Sequence, residues 1–191
     1  MINRLNIAVA DDELEMRDYF RETLMVLGHE LVGAAENGTE LVKLCQETSP
    51  DLVITDIKMP DMDGIEAARR ITKSHAIPVI LVSAYHDQEL IERAEQTTIL
   101  SYLVKPITQG SLSAAIAIAD SRFRELNDLQ KEAGDLKQAL EDRKLIEKAK
   151  GILMKRLNVD EPEAFGRLRR AAMSENRRLV DVAKTIVLTE G

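Results

Sequence analysis

Residues 51–64 read DLVITDIKMPDMDG. A short apolar run rich in β-branched residues (51–55) stops at Asp56, and Pro60, Asp61 and Gly64 then break the chain. The same unit, a strand followed at once by polar residues and a helix, recurs on both sides. Upstream, LNIAVA (5–10) runs into Asp11-Asp12, and ELVGAA (30–35) runs into Asn37-Gly38. Downstream, IPVILV (77–82) leads to Ser83, and SYLV (101–104) leads to Lys105-Pro106. Between these runs lie helix-like segments at 13–27, 38–48, 64–74 and 87–96. Five strands alternating with helices predict an α/β domain: a doubly wound, five-stranded parallel sheet covered on both faces.

Composition excludes several classes of protein. Aromatic residues make up 3% of the 191-residue chain and Trp is absent, which argues against a carbohydrate groove or a platform for stacking many bases. No run of about 18 apolar residues is present, so no membrane span is expected. The N-terminus MINRLNIAVADDE shows no signal-peptide pattern, and a cytoplasmic protein is the expectation. The lone cysteine, Cys45, excludes an internal disulfide or a thiolate zinc cluster, and its phase in ELVKLCQE suits a buried helix face. Charge is uneven. Residues 1–142 carry 14 Lys and Arg against 26 Asp and Glu, whereas residues 143–191 carry 12 against 7. An acidic chain with a basic end suggests that the end meets an acidic partner.

In an open parallel sheet, ligands bind beyond the carboxyl ends of the strands, near the point where strand order reverses. Asp11, Asp12 and Asp56 all fall there, joined by the Ser83 hydroxyl and the Lys105 ammonium. Three carboxylates at one rim repel one another unless a hard cation sits among them, and Mg²⁺ takes such oxygens. With a lysine and a hydroxyl beside them, the set suits phosphoryl transfer onto Asp56. The stretch DMDG (61–64) also echoes the nucleophile loop of haloacid-dehalogenase-like phosphatases, but that loop needs a strand directly before its first Asp, and here Met59-Pro60 intervene.

Four stretches together, VADDE (9–13), DLVITDIKMPDMDG (51–64), LVSA (81–84) and YLVKP (102–106), resemble the receiver domain of two-component response regulators over residues 1 to about 120. The resemblance implies a flavodoxin-like receiver with Asp56 as phospho-acceptor from a sensor histidine kinase. It implies a Mg²⁺ site of Asp12, Asp56 and the backbone carbonyl of Lys58, with Asp11 reaching the metal through water. Ser83 and Tyr102 become the switch pair, Lys105 the phosphate contact, and Lys105-Pro106 a cis peptide. TTILSYL (97–103) departs from the Gly-Ala that many receivers carry before the last strand.

From about 108 to 157 the pattern becomes one long charged helix, within which Leu126, Leu129, Ala133, Leu136 and Leu140 form a short heptad seam. Two readings of it stand: a dimeric coiled coil, or a solvated linker. Asp160, Pro162 and the neighbouring acids open a second helix running to about Met173, and a third is expected to open at Ser174 or Asn176, with Arg177 and Arg178 at its start. On a helical wheel centred on Ile146, Ala149, Leu153 and Leu157 lie within about 60°, while Lys144, Lys148 and Lys155 gather at the opposite pole. Lys150 flanks the stripe. Phe165 and Met173 read as core, leaving no exposed aromatic. Gly151, about 140° from the stripe centre, is expected to leave helix backbone open between lysines. Residues 143–178 hold 11 Lys and Arg against 5 acids, which favours phosphate contacts.

The stretch ALEDRKLIEKAKGILMKRLNVDEPEAFGRLRRAAMSENRRLVDVAKTIV (139–187) resembles the ANTAR domain, an RNA-binding module of transcription antiterminators, over about 136–189. The resemblance implies recognition of tandem RNA hairpins in a nascent leader transcript, which prevents a terminator from forming. The resulting expectation is a receiver (1–120), a helical coiled-coil linker (121–142) and a three-helix all-α RNA-binding domain (143–191), homodimeric, with phosphorylation of Asp56 controlling antitermination and with no turnover of an external substrate. The expected RNA contacts are Lys148, Lys150, Lys155, Arg156, Arg169, Arg170, Arg177 and Arg178. Two other readings of the basic helices remain: a DNA-binding transcriptional regulator, and a module that binds an acidic protein.

Overall fold

The structure is a computed structural model and describes residues 4–74, 76–84 and 99–190. The expected helix 87–96, together with His75, His86 and Thr97-Thr98, lies outside the described residues. Five strands, β1 (Asn6–Ala10), β2 (Glu30–Ala35), β3 (Leu52–Asp56), β4 (Val79–Ser83) and β5 (Ile99–Val104), form a single sheet in the order β2-β1-β3-β4-β5. Every pairing is parallel. Helices α1 (Leu14–Val26), α2 (Gly38–Thr48) and α3 (Gly64–Ser74) connect the first four strands, and α4 (Gln109–Leu157) follows β5. Strand order reverses between β1 and β3, so the ends of those two strands flank the crevice where such sheets bind ligands.

The alternation of side chains along each strand splits the core in two. From β1, Ile7 and Val9 join Ile54, Ile80 and Val82 on one face, where Phe20 and Leu24 of α1 and Leu112, Ile116 and Ala119 of α4 cover them. Ala8 and Ala10 point the other way, with Val53 and Leu81, against Leu41 and Cys45 of α2 and Ile65, Ala68 and Ile71 of α3. Residues in β1, β3 and β4 are buried on both faces, apart from Asn6 at the start of β1, which is why those strands read as continuous apolar runs. Each fully buried Leu, Ile or Phe contributes about 1.5–3 kcal/mol to holding the layers together. Cys45 is buried in this core, as its helical phase required.

The chain divides into two compact units, Met1–Asn127 and Asp128–Gly191, and α4 runs through the division. In the second unit, α4 is followed by α5 (Glu161–Ser174) and α6 (Leu179–Glu190). Asp160 caps α5 by accepting the Glu163 N–H at 3.0 Å, with Pro162 in the first turn. The third helix begins later than expected. Ser174 ends α5, Asn176 turns the chain at φ 51°, and the Arg177 N–H donates back to the Ala172 carbonyl at 3.0 Å. A left-handed residue closes a helix rather than opening one. Arg177 and Arg178 therefore occupy the turn before α6 instead of its first turn. The heptad leucines Leu126, Leu129, Leu136 and Leu140 are all exposed along α4.

Candidate functional site

The sheet brings the acids of the rim together. β1 stops at Ala10 and β3 at Asp56, and the Ala10–Thr55 register sets Asp11 and Asp12 beside Asp56. One carboxylate oxygen from each of the three lies within 4.8 Å of the others. Asp11 is fully buried, Asp56 nearly so, and Asp12 is exposed. The Lys105 ammonium, delivered just past the end of β5, sits 3.1 Å from Asp11 Oδ2, 3.5 Å from Asp56 Oδ2 and 3.5 Å from Glu13 Oε1. A cleft of about 280 Å³ opens above them, lined by Asp12, Glu13, Asp56, Lys58, Ala84 and Lys105.

The electrostatics follow from crowding and burial. Burial pushes the Asp56 carboxyl up to about 6; Lys105 and the Ile57 N–H hold it down, and Asp11 adds to the rise. Burial also raises Asp11, against donation from the Glu13 N–H at 2.9 Å and from Lys105. One ammonium against three clustered carboxylates leaves an excess of negative charge. Hard oxygen donors in that excess fit a divalent cation such as Mg²⁺, with Asp12 reachable from solvent and Asp56 behind it.

The remaining residues of the rim fall as follows. Ser83 is the last residue of β4 and is buried; its backbone carbonyl accepts the Lys105 N–H at 2.9 Å. Tyr102 is 55% exposed, so its ring faces outward in this conformation. The Lys105-Pro106 peptide is cis.

In the second unit, the expected nucleic-acid residues differ in exposure and in their partners. Lys148, Lys155 and Arg169 are exposed and form no ion pair among the described residues. Arg170, Arg177 and Arg178 are exposed but paired. Arg170 meets Glu163 at 3.2 Å, Arg177 meets Glu175 at 2.9 Å, and Arg178 grips both oxygens of Asp181 at 2.9 and 3.0 Å. Arg156 is exposed as well. Lys150 departs from the rest: it is buried, with Glu161 at 2.6 Å, Glu147 at 2.9 Å and the Phe165 ring centroid 5.9 Å away. A buried ammonium holding two carboxylates ties α4 to the start of α5 rather than presenting itself to a partner. Gly151 behaves as the wheel implied, since a Cβ there would meet nothing within 4 Å.

The expectation that Phe165 and Met173 are core residues is overturned. Phe165 is 39% exposed and Met173 72% exposed. The core between α4, α5 and α6 is made of small residues, Ala149, Ala172 and Ala183, with Leu168 and Val182. The buried arc of α5 is confined to the line of Ala164, Leu168 and Ala172. Phe165 and Met173 each lie one residue past that line, about 100° round the helix.

Comparison with known proteins decides the family. The model of the response regulator receiver domain matches residues 7–117. The chain is a response regulator. The ANTAR domain model matches residues 134–187 of the same regulator. The transcriptional regulatory protein PdtaR of Mycobacterium tuberculosis is 40% identical over 185 residues, covering 97% of this chain and 90% of its own. The chemotaxis protein CheY of Bacillus subtilis is 38% identical over 111 residues, covering 58% of this chain and 92% of its own. Among solved structures, a response regulator receiver domain protein from Clostridium thermocellum superposes with a TM-score of 0.59 at 33% identity, over 63% of this chain and 98% of that one.

Two residues that position the regulator's acid rim were not evident from its motifs. Arg17 of α1 is buried, and its guanidinium donates to the backbone carbonyls of Asp11 at 2.8 Å and Asp12 at 3.1 Å and pairs with Glu36 at 2.6 Å. The available signal was an arginine on the buried phase of an amphipathic helix, five residues after the acid pair. Gly64 reads in sequence as a turn glycine, yet a Cβ there would lie 2.0 Å from the carbonyl oxygen of Asp56. Close approach of α3 to the end of β3 is what requires it.

Proposed function

We propose that this response regulator accepts a phosphoryl group on Asp56 from a sensor histidine kinase and thereby controls RNA binding by its C-terminal helices, acting as a transcription antiterminator. In the transfer, an Asp56 carboxylate oxygen forms the new O–P bond as the N–P bond of the phosphohistidine breaks. The electron pair of that bond returns to the imidazole. Asp12, Asp56 and the Lys58 carbonyl, with Asp11 behind them, would hold Mg²⁺. When bound, Mg²⁺ supplies positive charge against the phosphoryl oxygens. Lys105 meets the same oxygens from the other side, and Ser83 donates its hydroxyl to one of them while Tyr102 turns inward. The chemistry is confined to the regulator's own phosphoryl group. The observation that carries this reading is the convergence of Asp12, Asp56 and Lys105 at one small cleft, with Asp11 buried beside them, in a chain that also matches an ANTAR domain.

The working boundaries are a receiver at 1–120, a helical linker at 121–142 and the RNA-binding domain at 143–191. Exposed Leu126, Leu129, Leu136 and Leu140 support pairing of the linker with a second copy of the chain. Two RNA-binding ends held together then engage tandem hairpins with an affinity raised by effective concentration. Phosphorylation acts through differential dimer affinity, a population shift rather than a mechanical push. The reading places the protein in the cytoplasm.

The test is a gel-shift on a tandem-hairpin RNA, run against duplex DNA of equal charge, with and without a small-molecule phosphodonor. The expected outcome is hairpin-selective binding that the phosphodonor strengthens in the wild type and leaves unchanged in Asp56→Asn. Equal binding to duplex DNA would favour a DNA-binding regulator, and an identical response in Asp56→Asn would remove the switch.

A further inference from the structure

The residues that left the core do not scatter. Phe165, Arg169 and Met173 lie at intervals of four along α5, and Asn176, Arg177 and Arg178 follow in the turn before α6. Together they line a cleft of about 610 Å³, floored by apolar side chains and rimmed by three guanidinium groups. We infer that this cleft receives one unpaired RNA base, stacked on Phe165 and read at its edge by Asn176, with Arg169 on the adjoining phosphate. The inference rests on the RNA-binding reading and names the place in the second unit where a base, as opposed to the backbone, is held.

Three observations carry it. First, an acidic chain with few aromatics exposes one beside basic side chains. A partly exposed ring, an adjacent thioether and the Arg169 guanidinium, unpaired among the described residues, suit a flat, apolar group attached to a phosphate. The Phe165 ring is also held in place, because Lys150, fixed by Glu147 and Glu161, sits 5.9 Å from its centroid. Stacking of bases on an aromatic side chain is the usual way that unpaired RNA is gripped.

Second, the guanidinium groups divide the work. Arg178 is locked by both oxygens of Asp181, and Arg177 is fixed by Glu175, by the Asp181 carbonyl at 3.2 Å and by the Thr185 hydroxyl at 3.0 Å. These two are walls with set positions and largely neutralised charge. Arg169 has no such partner among the described residues, so it is the group left to meet a phosphate. The charge selects a polyanion; an acidic peptide would satisfy Arg169 but would leave the ring and Met173 without a flat partner.

Third, Asn176 is held at φ 51°, a conformation asparagine tolerates, with its backbone N–H donating to the Met173 carbonyl at 3.3 Å. Its side-chain amide carries one donor group and one acceptor at the mouth of the cleft, the pattern that matches a base edge.

The experiment is a cycle between protein and RNA, using the full chain and a two-hairpin RNA in which each loop base is replaced in turn by an abasic site. In the wild type, one loop position should cost about 10-fold in affinity, as the loss of one base stacked on an aromatic side chain does. Phe165→Leu keeps an apolar helix former at an exposed position; it should lose about 10-fold on the intact RNA and nothing further at that one abasic position. Asn176→Gly keeps the left-handed backbone while removing the amide, and it should reduce discrimination among bases at the same position. Arg169→Gln should instead lower the salt dependence, by about one unit of slope in log affinity against log salt, across all RNAs. Independent, multiplicative losses for Phe165→Leu and every abasic site would overturn the base cleft while leaving hairpin binding intact. A wild-type protein that binds duplex DNA of equal charge as well as the hairpins would overturn the RNA-binding reading itself, and the cleft with it.

Discussion

The guanidinium of Arg17 donates to the backbone carbonyl of Asp11 at 2.8 Å, from a helix that begins only after the acid pair has ended. The acid loop is thereby held from behind, by a side chain that never reaches the cleft. Arg17→Ala leaves two carbonyls and Glu36 without their donor, and should destabilise the receiver by about 2 kcal/mol, the cost of a hydrogen bond to a charged group. Urea unfolding measures this. The rate of labelling by a small-molecule phosphodonor should fall as well, and Arg17→Lys, whose single ammonium cannot serve the two carbonyls and Glu36 as the forked guanidinium does, should restore only part of it.

Gly64 and Asp56 make the second tight relationship. A methyl group 2.0 Å from the Asp56 carbonyl cannot be accommodated without moving the end of β3 or the start of α3. Gly64→Ala should therefore cost about 1–3 kcal/mol, as overpacking does, despite the gain in helix propensity. Gly151→Ala is the matched control, because its added methyl group meets nothing within 4 Å. It should stabilise the helix by up to about 1 kcal/mol in thermal unfolding.

Clustering of Asp11, Asp12 and Asp56 within 4.8 Å also fixes the response to divalent ions. Mg²⁺ should raise the melting temperature of the wild type in a concentration-dependent way, since an ion that binds only the folded state stabilises it by mass action. Asp12→Asn removes one donor and relieves repulsion, so the apo protein should melt no lower while the gain from Mg²⁺ shrinks. Calorimetric scans with and without the ion separate the two effects.

His29 gives the receiver a pH dependence unconnected with the cleft. The side chain is buried, and its Nδ1 accepts the Leu5 N–H at 3.3 Å, which requires an unprotonated nitrogen. Burial lowers its pKa below the ordinary 6.5, with Asp120 acting in the opposite direction. In the unfolded chain the imidazole takes up its proton first as pH falls. The stabilisation is therefore complete above pH 6.5 and is lost as pH drops through the lower folded value. Over that window the loss is at most about 1.4 kcal/mol per pH unit for one group. His29→Gln should flatten this part of the stability profile, measured by urea unfolding at stepped pH.

Much of the receiver was legible in the chain because its logic is local and periodic. A parallel sheet with helical crossovers sends every strand end to one rim. Asp56, Ser83 and Lys105 could therefore be grouped from their places after apolar runs, and β3, β4 and β5 deliver them there. Helix α3 matches its expected span, and Asp160 forms the cap of α5 that its chemistry announced. Among the described residues, what the sequence by itself determined was thus the order of elements, most of their ends apart from the start of α6, and the phase of each face. Tertiary structure alone decided how wide a buried arc each helix has. A helical wheel places Phe165, Met173 and Lys150 beside a stripe, but whether the stripe's edge is covered depends on how closely its neighbours approach. Here the buried cluster is limited to Ala149, Ala172 and Ala183 with Leu168 and Val182. The large side chains at the edge are left outside, and the flanking ammonium of Lys150 is closed in between Glu147 and Glu161.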